Sequence, residues 1–153
     1  MPAAKVLDAL ENASVTYKVL KHIDYGTVES PYDFSRLAAI PIENIAKCLL
    51  LKSGARYFMA VLPVSAKVDM KVVAQHLDTG RLEVAPLDEL PLITGYERFA
   101  TTAIGLDLPT VLDSTLVNLD KIYIATGTKG EELEISPADL VKVTKAQVAD
   151  ISK

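Results

Sequence analysis

The sequence predicts a mixed α/β domain, and three observations predict it. Short apolar or alternating runs of strand character are interleaved with stretches whose apolar residues recur at helical spacing. Several strand-like runs are joined by tight turns, so the sheet they form is expected to be mixed rather than wholly parallel. At 153 residues, half of them hydrophobic, the chain has the length of one domain with a sizeable core, and residues 1–153 are read as a single domain.

Taken in order, residues 2–13 place Val6, Leu7 and Leu10 on one stripe of an amphipathic helix. Residues 15–20 are β-branched and alternating, hence a strand. A loop carries His22, Tyr25, Gly26, Thr27 and Pro31, and a short helix over 33–39 ends before Pro41. Residues 46–52, the turn at Ser53-Gly54 and residues 56–62 have the pattern of a hairpin. Asp69 caps the next helix, whose Val72, Val73 and Leu77 face inward and whose last turn holds His76, a placement that suits the helix dipole. A short strand follows over 82–85, and residues 86–94 read as a helix interrupted by Pro91. Residues 95–108 lack periodicity, the mark of a long and often functional connection. Strands over 110–113 and 121–125 precede the turn Thr126-Gly127-Thr128-Lys129-Gly130 and an alternating strand over 131–135. Ser136, Pro137 and Asp139 open the last helix with a serine cap, proline in the first turn and an acid three residues on.

Charge and composition exclude several classes. The 16 basic against 20 acidic residues, net −4, with an isoelectric point near 5.2, argue against a broad grip on nucleic acid, and no DNA partner is expected. A local basic patch at one end of an RNA is still compatible with that balance: Lys52, Arg56, Lys67, Lys71, Arg98 and Lys129 lie near the segments singled out here. No apolar stretch approaches the roughly 20 residues of a membrane span, so no membrane partner is expected. The start Met1-Pro2-Ala3-Ala4 lacks the pattern of a secretory signal, and one cysteine suits a reducing compartment, so a cytoplasmic location is expected.

The most informative residue is Lys47, inside the apolar run Ile45–Leu51. Side chains alternate along a strand, so Lys47 shares a face with Ile45, Leu49 and Leu51, while Ala46, Cys48 and Leu50 take the other. An ammonium among aliphatic side chains is costly unless it finds a partner, reaches water or gives up its proton. Two readings follow: a lysine snorkelling at a strand end, or one aimed into a ligand site. Cys48 points away from Lys47 and reads as core packing rather than as a lysine-activated nucleophile.

Two histidines and one cysteine, widely spaced, make no familiar zinc site, and no metal or cofactor is expected. The Walker loop, the dinucleotide-binding glycine fingerprint and the Gly-x-Ser-x-Gly elbow are absent. His22 is open to three roles: a base, a pocket wall, or neither. The Gly127–Gly130 turn is open to two, a plain turn or a nest of amides that binds an anionic oxygen.

The order of several stretches resembles the YbaK/ProX family of aminoacyl-tRNA deacylases, whose domain also occurs inserted in some prolyl-tRNA synthetases. The stretches are residues 17–22, 45–51, 61–64, 67–71, 94–97, 108–113, 122–124, 127–130 and 133–140, in register over nearly the whole chain. The resemblance implies a mixed β-sheet curled toward a barrel with surrounding helices, and a pocket for the acceptor end of an aminoacyl-tRNA. It makes Lys47 the counterpart of the family's functional lysine, which positions substrate, and Gly127 and Gly130 the counterparts of its glycine turn. It also places His22, Tyr25, Cys48, Phe99, Ala100, Thr101, Thr102, Ala125, Lys129 and Glu132 at the substrate pocket.

Departures fall at that same pocket. Cys48 stands where family members commonly carry Thr, and Phe99-Ala100-Thr101-Thr102-Ala103 replaces a Gly-Gly-x-x-Pro type loop. Ala125-Thr126 replaces small polar residues before the second turn, and the acid beyond it is Glu132. The expected function is hydrolysis of the ester of a mischarged tRNA, with proline tRNA the favoured carrier and prolyl-tRNA synthetase a candidate partner. The alternatives are a noncatalytic binding or regulatory module on the same scaffold, attached to a signalling protein, and a general nucleotide binder. An inward Phe99 is expected to narrow the amino-acid pocket and an outward one to offer a stacking surface, while a third reading has the ring only pack the loop onto the body of the domain.

Overall fold

A computed structural model describes all 153 residues, Met1–Lys153. Helix α1 (Ala4–Ala13) buries Val6 and Leu10 and is followed by β1 (Tyr17–Lys21). Helix α2 (Pro31–Ala38) begins earlier than the sequence suggests, because the Ser30 hydroxyl accepts from the Asp33 amide at 3.2 Å and Pro31 occupies the first turn. Strands β2 (Ala46–Ser53) and β3 (Arg56–Pro63) form the expected hairpin, with Gly54 at φ +60° in its turn. Helix α3 (Met70–Leu77) is capped by Asp69 and buries Val73 and Leu77; its C-cap is Asp78.

Strand β4 (Glu83–Val84) leads to α4 (Leu90–Thr94), where Pro91 sits in the first turn and starts the helix instead of interrupting it. Next come β5 (Thr110–Asp113), α5 (Ser114–Val117), β6 (Ile122–Ala125), β7 (Glu131–Ile135), α6 (Pro137–Thr144) and β8 (Gln147–Ala149). Four-residue α5 and three-residue β8 are too short to carry a periodic signal.

The strands form a five-stranded mixed sheet, β4-β2-β3-β5-β8, and a three-stranded antiparallel sheet, β1-β7-β6. Strands β3, β5 and β8 run parallel to one another, while β2 is antiparallel to β3 and β4. A parallel bridge between Ile45 and Tyr123 links the two sheets. The mixed α/β class expected from sequence holds, but the strands do not close into a barrel.

The larger sheet has a core on each face. Leu50, Met59, Val61 and Leu112 pack against α1, α6 and the smaller sheet; Leu51, Phe58, Leu62 and Val111 pack against α3. The 95–108 connection, aperiodic in sequence, is largely interior: Tyr96, Thr102, Ala103 and Ile104 are buried. The hydroxyl of Tyr96 donates to the Ile104 carbonyl at 2.7 Å, which satisfies a buried polar group and closes the loop. Asp113, fully buried, accepts from the amides of Ile151 (2.9 Å) and Ser152 (3.2 Å) and from the Ser152 hydroxyl (3.1 Å), so the C-terminal segment is fastened to β5.

Candidate active site

A cavity of about 540 Å³ lies along the side of β2 facing away from β3. Lys47, Cys48, Leu49 and Leu50, four consecutive residues, all border it. Alternating side chains cannot all point into one cavity, so it follows the strand edge and meets backbone as well as side chains. Val84, Ala85, Leu87 and Leu90 form the opposite wall, and Arg98, Phe99 and Thr101 close one end.

Lys47 and Cys48 take opposite faces, as alternation requires. Lys47 lies on the Leu49 and Leu51 side, half-buried, and its Nζ donates to the Ala66 carbonyl at 2.6 Å. Burial holds its ammonium below the ordinary lysine range. The Cys48 thiol turns to the other core, beside Thr102 and the Ala103 amide, and burial pushes it up to about 12. A thiol so held is protonated at neutral pH.

A second cavity of about 390 Å³ is bordered by His22, Val28, Glu29, Ser30 and Pro31 on one side. Phe99, Lys129, Gly130 and Glu132 complete it. His22 Nε2 lies 3.1 Å from Glu132 Oε1, its ring rests on Phe34 at 5.1 Å, and its amide donates to the Gly130 carbonyl at 2.9 Å. Lys129 Nζ pairs with Glu97 at 3.0 Å on the surface. Phe99 borders both cavities. Its ring is 75% exposed and carries the Arg98 guanidinium 5.1 Å from its centroid. The inward, pocket-filling Phe99 is therefore corrected: the ring stands outward, between the two cavities.

The two turn glycines differ. The Gly127 amide is spent on the Ala100 carbonyl at 2.9 Å, and a Cβ there would lie 2.7 Å from Ala3 Cβ and 2.8 Å from Tyr96 Cε1. Gly130, at φ +82°, has open space around its Cβ direction. The Thr128 amide is held by the Thr126 hydroxyl at 3.2 Å, whereas the amides of Lys129 and Gly130 donate to no group of the chain. Any amides offered to a ligand are thus those of Lys129 and Gly130, and Gly127 serves packing.

The residues singled out from sequence separate into groups. Lys47, Cys48, Phe99 and Thr101 meet the first cavity; His22, Phe99, Lys129, Gly130 and Glu132 meet the second. Tyr25, Ala100, Thr102 and Ala125 border neither: Tyr25 packs edge-on against Phe34 at 5.6 Å, and Ala100 and Thr102 are buried. The apolar wall of Val84, Leu87 and Leu90 was not singled out, because apolar residues near Pro86 and Pro91 are indistinguishable in sequence from a helix stripe. No group of three or more His, Cys, Asp or Glu is placed to hold a metal ion, and no helix is long and apolar enough to cross a membrane.

Residues 27–143 match the model of the aminoacyl-tRNA editing domain. EbsC of Enterococcus faecalis, provisionally named a Cys-tRNA(Pro)/Cys-tRNA(Cys) deacylase, is 28% identical over 96 residues, 61% of this chain and 58% of that protein. The prolyl-tRNA editing protein ProX of Acetoanaerobium sticklandii is 23% identical over 152 residues, 92% of this chain and 89% of that one. A crystal structure provisionally named a trans-editing enzyme for prolyl tRNA synthetase superimposes with a TM-score of 0.82 at 20% identity, covering 97% of this chain and 95% of the other. A Marinobacter aquaeolei protein provisionally named for signal transduction gives 0.74 at 16% identity; 99% of this chain matches 31% of that much longer one. At these identities the structural likenesses establish fold alone, while the family match covers most of the chain. The chain belongs to the aminoacyl-tRNA editing domain family, the family its YbaK/ProX resemblance indicated.

Proposed function

We propose that this chain is a trans-acting aminoacyl-tRNA deacylase that hydrolyses the ester between a wrong amino acid and the terminal adenosine of a tRNA. The observation that carries the reading is Lys47: a half-buried ammonium, fixed by the Ala66 carbonyl, in the wall of a cavity that adjoins a glycine turn through Phe99. The ester needs little more than placement. A water, hydrogen-bonded by the neighbouring 2′-hydroxyl, adds to the ester carbonyl; the C–O bond to the ribose breaks, and the water's proton goes to the departing ribose oxygen. Orientation and stabilisation of the oxyanion then supply most of the rate. In this reading Lys47 holds a substrate oxygen, and the Lys129 and Gly130 amides receive the developing charge. The exposed Phe99 ring, backed by Arg98, offers a face on which the terminal adenine stacks.

The name of ProX supports proline tRNA as the carrier, and with it contact with prolyl-tRNA synthetase in the cytoplasm. A deacylation panel of proline tRNA mischarged with alanine and with cysteine tests the reading: release of amino acid above the uncatalysed rate is expected, and none from any carrier contradicts it. The second reading, a noncatalytic module of a longer signalling protein, is supported by the Marinobacter likeness and by Phe99-Ala100 where the family resemblance calls for glycines. It predicts binding of an adenosine-ended ligand without turnover.

A further inference from the structure

The first cavity joins an open strand edge to a fixed apolar wall. The Ile45 carbonyl accepts from Val64, so the backbone groups of odd-numbered β2 residues face β3 and those of even-numbered residues face away. On that outer side β4 pairs only with Leu51 and Lys52, and the Ala85 amide takes the Leu50 carbonyl at 2.9 Å. β4 does not reach the N–H and C=O of Cys48, which lie on the cavity side of β2. Because the Cys48 thiol turns inward against Thr102, what this half-exposed residue shows the cavity is backbone.

Facing this edge, Val84 and Leu87 are 55% and 56% exposed, with Leu90 half-buried beside them. Exposed apolar surface gathered around a concavity marks a binding site more often than chance. Two acids lie between Leu87 and Leu90, and neither Asp88 nor Glu89 lines the cavity. Glu89 accepts from Lys52 Nζ at 2.7 Å and from the Tyr57 hydroxyl, which also pins the segment to the β2–β3 hairpin. The Thr101 hydroxyl is engaged with the Glu97 carbonyl at 2.8 Å. The wall of Val84, Leu87 and Leu90 is therefore apolar, and the charged side chains that line the cavity are those of Lys47 and Arg98.

We infer that this cavity selects an amino acid with a bulky aliphatic side chain, of leucine or methionine size, esterified to tRNA: the Cys48 carbonyl takes its α-ammonium, and Val84, Leu87 and Leu90 take its side chain. The inference rests on the deacylase reading and names the substrate class of the same site. An α-ammonium is a donor, the strand edge offers an acceptor, and Arg98 at the cavity end complements the phosphate on the 5′ side of the terminal nucleoside.

The test uses two amide-linked, non-hydrolysable probes, 3′-leucylamino-3′-deoxyadenosine and its alanyl counterpart, titrated calorimetrically into the full chain. The leucyl probe is expected to bind at least about tenfold more tightly, since each methylene in an apolar pocket is worth about 10–200-fold. Leu87→Ser and Val84→Thr, at positions exposed enough to tolerate change, are expected to shrink that preference at least severalfold. Equal binding, tighter alanyl binding, or an unchanged preference in both variants overturns the inference. If neither probe binds, the inference falls, and deacylation of mischarged tRNA by the same preparation decides the rest. Turnover there leaves the deacylase reading standing alone; its absence takes both down.

Discussion

The Gly127 amide donates to the Ala100 carbonyl at 2.9 Å, tying the turn before β7 to the loop after α4. Both segments border the second cavity, together with His22 and residues 28–31, and Phe99 precedes the bonded carbonyl by one residue. The bond thus holds the backbone next to Phe99, and a single contact links a packing glycine to the border of the site.

That contact separates the two glycines experimentally. Gly127→Ala adds a methyl group against Ala3 and Tyr96 at φ +83°. Left-handed backbone costs about 1–2 kcal/mol and overpacking about 1–3. A melting temperature lower by on the order of 5–15 °C is expected. Gly130→Ala meets open space, so only the backbone cost of about 1–2 kcal/mol applies. Its deacylation rate is expected to fall by more than its stability does, as read by melting curves alongside single-turnover rates.

Cys48 is expected to be inert. Its thiol, pushed up to about 12 by burial, is protonated at pH 7.5 and turned from the first cavity. Native protein should resist iodoacetamide while denatured protein reacts, and Cys48→Ala should keep its deacylation rate within about threefold, because the recognition assigned to this residue is by backbone. Rapid native alkylation with loss of activity would reinstate a thiol mechanism.

Phe99→Ala removes the exposed ring and its Arg98 contact. Stacking of a base on an aromatic ring is worth about 1–3 kcal/mol, so affinity for an adenosine-ended probe should fall about 5–150-fold, and Phe99→Tyr should restore it. Equal affinity in all three proteins rules out the stacking role.

Lys47 gives a pH signature. Its pKa is lowered by burial from an ordinary 10.5, so between the lowered value and 10.5 the unfolded chain binds more protons than the folded one. Stability from this group therefore rises with pH across that window, and the cost of the buried ammonium is greatest below it. Relative to Lys47→Met, wild type should gain as pH is raised from 7 toward 10 in urea denaturation. A difference that stays constant, or moves the other way, contradicts the assigned burial.

The hairpin, the caps at Asp69 and Ser136 and the opposed faces of Lys47 and Cys48 were legible in sequence because each rests on local periodicity or capping chemistry. Strand β8 was not, since its three residues are held by parallel pairing to β5 and by Asp113, contacts distant in sequence. Of the residues singled out from sequence, Tyr25, Ala100, Thr102 and Ala125 border neither cavity, and the division of the rest between two cavities was not legible. That division depends on the outward rotation of one ring, Phe99, and on a wall donated by the segment after β4. The different duties of Gly127 and Gly130 were likewise hidden, because only the fold brings Ala3 and Tyr96 against one of them.

The deacylase account depends most directly on Lys47, and single-turnover hydrolysis of mischarged proline tRNA by Lys47→Ala tests it. Losing the group that holds a substrate oxygen in place costs on the order of 100-fold in rate. The account predicts a loss of that size in a variant whose circular dichroism and melting profile remain those of a folded protein. Hydrolysis at the wild-type rate by the folded variant would contradict it.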